Sequence, residues 1–309
     1  MKPEKFTSFD NTILQCYLWN DVKTPKGVVQ ISHGMAEHAR RYDAFAQFLN
    51  ANGYIVFADD HRAHGMTSTK QSKKGIYGYH KGDIYNDTVR DQVAITAHLK
   101  ERFGLPVVYL GHSYGSMVGQ RYIETENASC GAILSGSACM KGGLLDIGCA
   151  VANMQYKLLG GEKEGKLLNS LSFGSYNAKF KKDKTEYAWL SRDREQVRKY
   201  IFDEQCGGVM SIAFFKFFFN GLKASYKAKN LAAIDKTKPI AIFSGAMDPV
   251  GGFGKLVDKL YKQYVDLGVK DVTMKIYSDA RHEVLNEINR DEVFADFLSA
   301  IEKMTASAK

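Results

Sequence analysis

Ser113 is the residue whose neighbours best equip it for chemistry. It centres Gly111-His112-Ser113-Tyr114-Gly115, after a short apolar run at 107–110 and before an amphipathic one at 116–123. A G-x-S-x-G between a strand and a helix is the pattern of a nucleophile elbow. Such a turn strains the serine backbone, and its glycines keep side chains out of the bend. The hydroxyl is lifted to the top of a sheet. The Tyr114 amide points at the same centre from a helix N-terminus. A glycine-rich turn with a spectator serine has the same letters, so the partners must decide.

An isolated serine hydroxyl is a poor nucleophile near neutral pH. In the chain order of this motif an acid follows and a histidine comes last. Asp248, in Gly245-Ala246-Met247-Asp248-Pro249, lies past an apolar run at 240–244. His282, in Asp279-Ala280-Arg281-His282-Glu283, lies past an alternating run at 272–277. Asp279 and Glu283 are rival acids, but both share the histidine's own loop, so Asp248 is preferred. His282 would take the Ser113 proton, and Asp248 would hold the imidazole tautomer. Two amides would meet the oxyanion: Tyr114, and Met35 after His33-Gly34, where glycine permits close backbone approach.

These residues need a sheet to hold them. Apolar runs at 27–32, 54–58, 107–110 and 132–135 predict strands, and helical patterns at 42–52, 83–103 and 116–126 lie between them. The longest repeats Ile84, Val89, Val93, Ile95 and Leu99 near a 3.6 period. Strand–helix alternation predicts βαβ units, a largely parallel sheet and a site beyond the strand carboxyl ends. The rhythm stops near 138 and resumes near 239, with strands at 239–245 and 272–277 and helices at 256–267 and 291–304. We therefore expect a discontinuous α/β core, 1–138 and 237–309, and a helical insertion at 139–236.

The chain has 309 residues, 45% hydrophobic and 25% charged, an ordinary globular balance. No apolar stretch approaches the roughly 18 residues of a membrane span. The N-terminal residues lack a signal-peptide core, and a cytoplasmic protein is expected. Five cysteines, odd in number and without C-x-x-C spacing, indicate neither a disulfide framework nor zinc. His33, His38, His61 and His64 cluster in sequence without ligand spacing, so no metal is expected. The insertion holds 17 Lys and Arg against 10 Asp and Glu, or +7 of the chain's +8. Lys179, Lys181, Lys182, Lys184, Arg192, Arg194 and Arg198 would either draw it to anionic membrane surfaces or form a solvated face. The charge is diffuse and no nucleic-acid motif accompanies it. Phe214, Phe215, Phe217, Phe218, Phe219 and Leu222 would line an acyl site or form the insertion's core.

The run Ser32-His33-Gly34-Met35-Ala36-Glu37-His38-Ala39-Arg40-Arg41-Tyr42 resembles the HG-x-x-EH-x-x-RY segment of monoacylglycerol lipases and lysophospholipase-like enzymes. Asp60-His61-Arg62-Ala63-His64-Gly65 resembles their D-x-R-G-H-G segment, and 111–115 their G-H-S-x-G elbow. The acid and base loops match as well. The resemblance covers both core pieces and is weak in the insertion. It implies an α/β-hydrolase fold, no cofactor, a helical cap with an apolar acyl tunnel, and a small-molecule ester substrate such as a monoacylglycerol or lysophospholipid. It places Glu37 and Arg41 at the polar end of the substrate site, unless the pair is structural, and His33 is a further candidate for binding substrate. The chain departs at Ala63, where glycine is usual, and a shifted loop is expected there. A small-ester, hydroxycinnamoyl-ester or thioester hydrolase with the same triad is an alternative. So is a non-catalytic binding protein on this scaffold.

Overall fold

The computed structural model describes residues 1–68, 78–125 and 127–308. The six expected strand runs form β3 (Gly27–Ser32), β4 (Tyr54–Asp59), β5 (Val107–His112), β6 (Gly131–Ser135), β7 (Ile240–Gly245) and β8 (Val272–Tyr277). They run parallel, and β3 to β7 are buried along their whole length, which is why they read as continuous apolar runs. Edge strand β8 does not keep the alternation its sequence suggests: four of its six residues are half-buried, Thr273 is exposed and Tyr277 is buried.

Two further strands precede these in the chain. β1 (Lys2–Thr7) and β2 (Ile13–Trp19) pair antiparallel, and β2 then pairs antiparallel with β4. The sheet order is β1-β2-β4-β3-β5-β6-β7-β8. β1 is mostly polar, contains Pro3 and sits at an edge, so it carries little hydrophobic signal. Buried Arg62 fastens this hairpin, binding Asp10 in its turn at 2.6 and 2.9 Å and Asp91 at 2.6 and 2.7 Å.

Helices cover both faces. α1 (Asp43–Ala51) packs on one, and α2 (Ile84–Phe103) and α3 (Tyr114–Tyr122) pack on the other. α2 starts where Asp83 accepts from the Asn86 amide and stops at Gly104, whose φ is 64°. α3 ends short of the expected 126, and Glu126 itself lies outside the described residues. The stretch expected to be a helical insertion carries α4 (Gly143–Leu159), α5 (Lys166–Phe173), α6 (Arg194–Phe202), α7 (Ile212–Ser225) and α8 (Ala228–Ala232). α9 (Lys255–Asp266) and α10 (Arg290–Ala306) complete the chain, α10 beside α1. No helix among the described residues is long and apolar enough to cross a membrane.

The expected loop shift at Ala63 takes a different form. Ala63 adopts φ 61°, a left-handed conformation that glycine enters freely. The alanine accepts the strain rather than avoiding it.

α7 is clamped to the core. Phe214, Phe215, Phe218 and Leu222 share one apolar cluster with Tyr85 of α2 and with Tyr114 and Met117 of α3. A Cβ at Gly221 would lie 2.1 Å from the buried Tyr85 ring. Tyr85 cannot retreat easily, because its hydroxyl donates to the Met117 carbonyl at 2.8 Å. Gly221→Ala gains about 1 kcal/mol of helix propensity. Overpacking of about 1–3 kcal/mol opposes it. Urea unfolding should show a net loss, and a stabilised variant would contradict this packing.

Candidate active site

The elbow follows from backbone crowding. Between β5 and α3, Ser113 adopts φ 51° and ψ −117°. A Cβ at Gly115 would stand 2.0 Å from the Ser32 carbonyl oxygen, and one at Gly111 would stand 2.3 Å from the Gly115 oxygen. Only glycine lets α3 begin this close to β3. The Ser113 amide donates to the Ser135 carbonyl at 2.9 Å, which fixes the turn against β6.

Three distant residues converge here. Ser113 Oγ lies 2.8 Å from His282 Nε2, and His282 Nδ1 lies 2.9 Å from Asp248 Oδ2. With Nδ1–H donating to the carboxylate, Nε2 is left to accept from the serine hydroxyl. Asp248 is wholly buried, and its other oxygen accepts from the Val250 amide at 2.8 Å. The acid and base loops touch because Gly245 has no side chain: a Cβ there would lie 2.1 Å from the Ala280 oxygen. The rival acids are elsewhere. Asp279 is exposed, and both Glu283 oxygens are taken by Arg41 at 2.7 Å.

Electrostatics follow from burial and partners. Burial alone would lower the His282 pKa, but the Asp248 charge and hydrogen bond outweigh it and raise the value above 6.5. Burial and the nearby His282 push His112 down to about 4. A neutral His112 therefore neighbours His282, with ring centroids 4.9 Å apart.

The loop carrying Met35 runs beside the elbow, since a Cβ on Gly34 would lie 3.2 Å from Ser113 Cβ. Tyr114 is the first residue of α3, where amides have no intrahelical acceptor. The Met35 amide has no hydrogen-bond partner among the described residues.

The five residues expected to bind substrate lie deeper than that role suggests. His33 is fully buried. Its Nε2 accepts from the His61 amide at 3.0 Å, so its Nδ1–H donates to the Gly34 carbonyl at 2.7 Å. Glu37 and Arg41 form an inward ion pair that includes Glu283, and the Arg41 guanidinium lies 4.9 Å above the Tyr200 ring. Burial would raise the Glu283 pKa, but Arg41 holds it down at about 2. Phe214 and Phe218 pack on the Tyr114 ring at 5.0 and 5.3 Å, and Phe214 is fully buried. Their positions belong to the packing reading of the phenylalanine run.

Other neighbours carried no sequence signal. Trp189 lies 5.1 Å from the His282 ring and joins Tyr176 and Phe173 in an aromatic group. The Trp189 carbonyl accepts from the His282 amide, and the Leu190 carbonyl accepts from the Glu283 amide. Gly136, at φ 57°, leaves room for the base, since a Cβ there would lie 2.9 Å from His282 Cε1.

Among the described residues one group has metal-ligand chemistry: His38, Asp203 and Cys206 bring donor atoms within 4.8 Å of one another. The arrangement reads as a latch. His38 Nε2 is paired with Asp203 at 2.8 Å, while buried Nδ1 lacks the acceptor that usually orients a metal-bound imidazole. Burial raises the Cys206 thiol pKa, further helped by Asp203, and so disfavours the thiolate a metal needs.

Residues 23–289 match the family model described as serine aminopeptidase, S33. The chain is 31% identical to a monoacylglycerol lipase of Mycolicibacterium smegmatis, over 92% of this chain and 91% of the relative. It is 25% identical to the Homo sapiens monoglyceride lipase, over 97% and 90%. Its fold overlays a thermostable carboxyl esterase from Bacillus coagulans, solved with glycerol, at a TM-score of 0.87, with 27% identity and 98% of each chain covered. The chain therefore belongs to the α/β-hydrolase family described as serine aminopeptidase, S33, and is a carboxylic-ester hydrolase.

Proposed function

We propose that Ser113 is the nucleophile of an acyl-enzyme mechanism acting on a monoacylglycerol- or lysophospholipid-like ester. The observation that carries this is the hydrogen-bonded chain from Ser113 through His282 to Asp248, joined across 169 and 34 residues of sequence. His282 takes the serine proton as Oγ attacks the ester carbonyl carbon. The Met35 and Tyr114 amides hold the tetrahedral oxyanion. Collapse breaks the bond to the alcohol, which leaves with the proton from His282. Water, deprotonated by the same histidine, then releases the acid and restores Ser113. Residues 139–236 act as the cap over a core of 1–138 and 237–309. The five free cysteines fit a reducing compartment such as the cytoplasm.

Two observations favour an amphiphilic substrate. The Phe173, Tyr176 and Trp189 group offers an apolar wall beside His282. On α4, Leu144, Ile147, Met154 and Leu158 are 89%, 60%, 53% and 71% exposed, and their spacing puts them on one stripe. Leu167 and Leu171 of α5 are exposed as well. This stripe suits a lipid surface better than the lysine-rich segment does. There Arg192 is spent on Glu287 and Lys179 stacks on Phe253.

Hydrolysis should be measured on monoacylglycerols, lysophospholipids, aryl esters and an aminoacyl anilide. Medium- or long-chain monoacylglycerols are expected to be preferred. Activity peaking on acetyl or aryl esters, or on the anilide, would overturn the lipid reading. Ser113→Ala should lower kcat by about 10⁴–10⁶-fold and abolish fluorophosphonate labelling. An unlabelled Ser113 in folded protein would defeat catalysis through it.

The His282 direction sets the pH dependence. The base must be neutral, and its pKa is raised, so kcat/KM should rise with pH through an inflection above 6.5. Asp248→Asn should cut kcat by roughly 10⁴-fold. It should also move the inflection downward. An unmoved inflection would assign it to another group.

Burying a leucine gains about 1.5–3 kcal/mol. Leu144→Ser with Leu158→Ser should therefore weaken binding to phosphatidylglycerol-containing vesicles by roughly 10²-fold. Turnover of a soluble short-chain ester should be unchanged. Unaltered vesicle sedimentation would remove the stripe from membrane contact.

A further inference from the structure

Glu37 lies directly behind the amide loop. Its Oε1 accepts from the Gly34 amide at 2.6 Å and from the Tyr42 hydroxyl at 2.9 Å. A Cβ on Gly34 would sit 2.6 Å from that oxygen and 3.2 Å from Ser113 Cβ. The Gly34 backbone is therefore held between the Glu37 carboxylate and the elbow. The chain folds back this sharply because Ala36 takes φ 56°. The Ala36 carbonyl is held from the cap side by the Gly207 amide at 2.9 Å and the Tyr200 hydroxyl at 3.2 Å.

Glu37 is 3% exposed, and an uncompensated carboxylate there would oppose negative charge developing on a reacting oxygen. Arg41 supplies the compensation, and its other partner is Glu283, the residue after His282. One buried network therefore joins the loop before Met35 to the loop carrying the base.

We infer that Glu37 is a positioning residue: by taking the Gly34 amide it fixes the loop so that the Met35 amide faces the reaction centre. This assignment deepens the acyl-enzyme reading and rests on it. It replaces a place for Glu37 at the substrate's polar end. The hydrogen bond sets the loop, and the carboxylate's charge serves only to pair Arg41.

Two variants separate reach from charge. Glu37→Gln keeps an acceptor at the same reach and loses the charge. Glu37→Asp keeps the charge and withdraws the acceptor by one methylene. Both are measured on a soluble aryl ester, with kcat expressed per fluorophosphonate-titrated site so that unfolded protein does not count. Losing one oxyanion donor costs about 10²–10³-fold. The expected result is a kcat loss of roughly 10²-fold for Glu37→Asp, with KM within about twofold, and retention within about tenfold for Glu37→Gln. A trifluoromethyl ketone, which forms a stable oxyanion adduct, should lose affinity in the same order. Equal kcat in wild type and Glu37→Asp would overturn the assignment. So would a Glu37→Gln loss as large as that of Glu37→Asp. If wild-type Ser113 fails to label, or Ser113→Ala keeps its activity, the nucleophile reading fails instead, and the two failures remain distinct.

Discussion

The first turn of α3 passes so close to the end of β3 that a methyl group at Gly115 would overlap the Ser32 carbonyl. That contact sets the rest of the site. It forces Ser113 into a left-handed conformation and directs the serine away from the sheet. It also places the start of α3 beside the loop at 33–37, where a Cβ on Gly34 would lie 3.2 Å from Ser113 Cβ. A backbone held this way is strained, and the strain persists because its surroundings over-determine it. The Ser135 carbonyl holds the Ser113 amide, and the Tyr109 hydroxyl donates to the Gly115 carbonyl at 2.8 Å.

Around that turn the molecule buries several charged groups against partners of opposite charge. Asp248 faces His282. Glu37 and Glu283 share Arg41. Asp59 pairs with His61 at 2.8 Å, and Arg62 joins Asp10 and Asp91. An unpaired charge at such depth is very costly, so each pair also fixes the relative positions of the loops that carry it. The networks therefore act as joints. Arg41–Glu283 joins the loop after β3 to the loop carrying His282, and His38–Asp203 joins the same loop to the segment after α6. The carbonyls of Trp189 and Leu190 reach the His282 loop directly, accepting from the His282 and Glu283 amides. The exposed stripe on α4 lies in the same stretch as α7, which packs its own apolar side chains on the core.

Much of this was legible in the chain. β3 to β7 announced themselves because strands buried on both faces are continuous apolar runs. Asp248 and His282 could be chosen because each follows a strand run, a continuous apolar one for Asp248 and an alternating one for His282. The N-terminal hairpin was illegible: β1 draws its stability from main-chain pairing with β2, and hydrophobic patterning does not register that. His33, Glu37, Arg41, Phe214 and Phe218 were recognisable as residues near the site, but their facing was not. Whether a phenylalanine at a helical spacing lines a cavity or packs on a tyrosine depends on what stands opposite, and Tyr114 is about 100 residues away.

By itself, then, the sequence determined the local requirements: the glycines of the elbow, the order of Ser113, Asp248 and His282, and the alternation that places them at strand ends. These are encoded in short windows, where backbone sterics and hydrophobic periodicity act between neighbours. Only the tertiary structure decided that Glu37 grips Gly34, that Arg41 answers Glu283 across 242 residues, and that Trp189 and Gly136 shape the space around His282. Those contacts depend on which loops the strand order brings together. Their energies come from desolvation and charge pairing, which no short window contains.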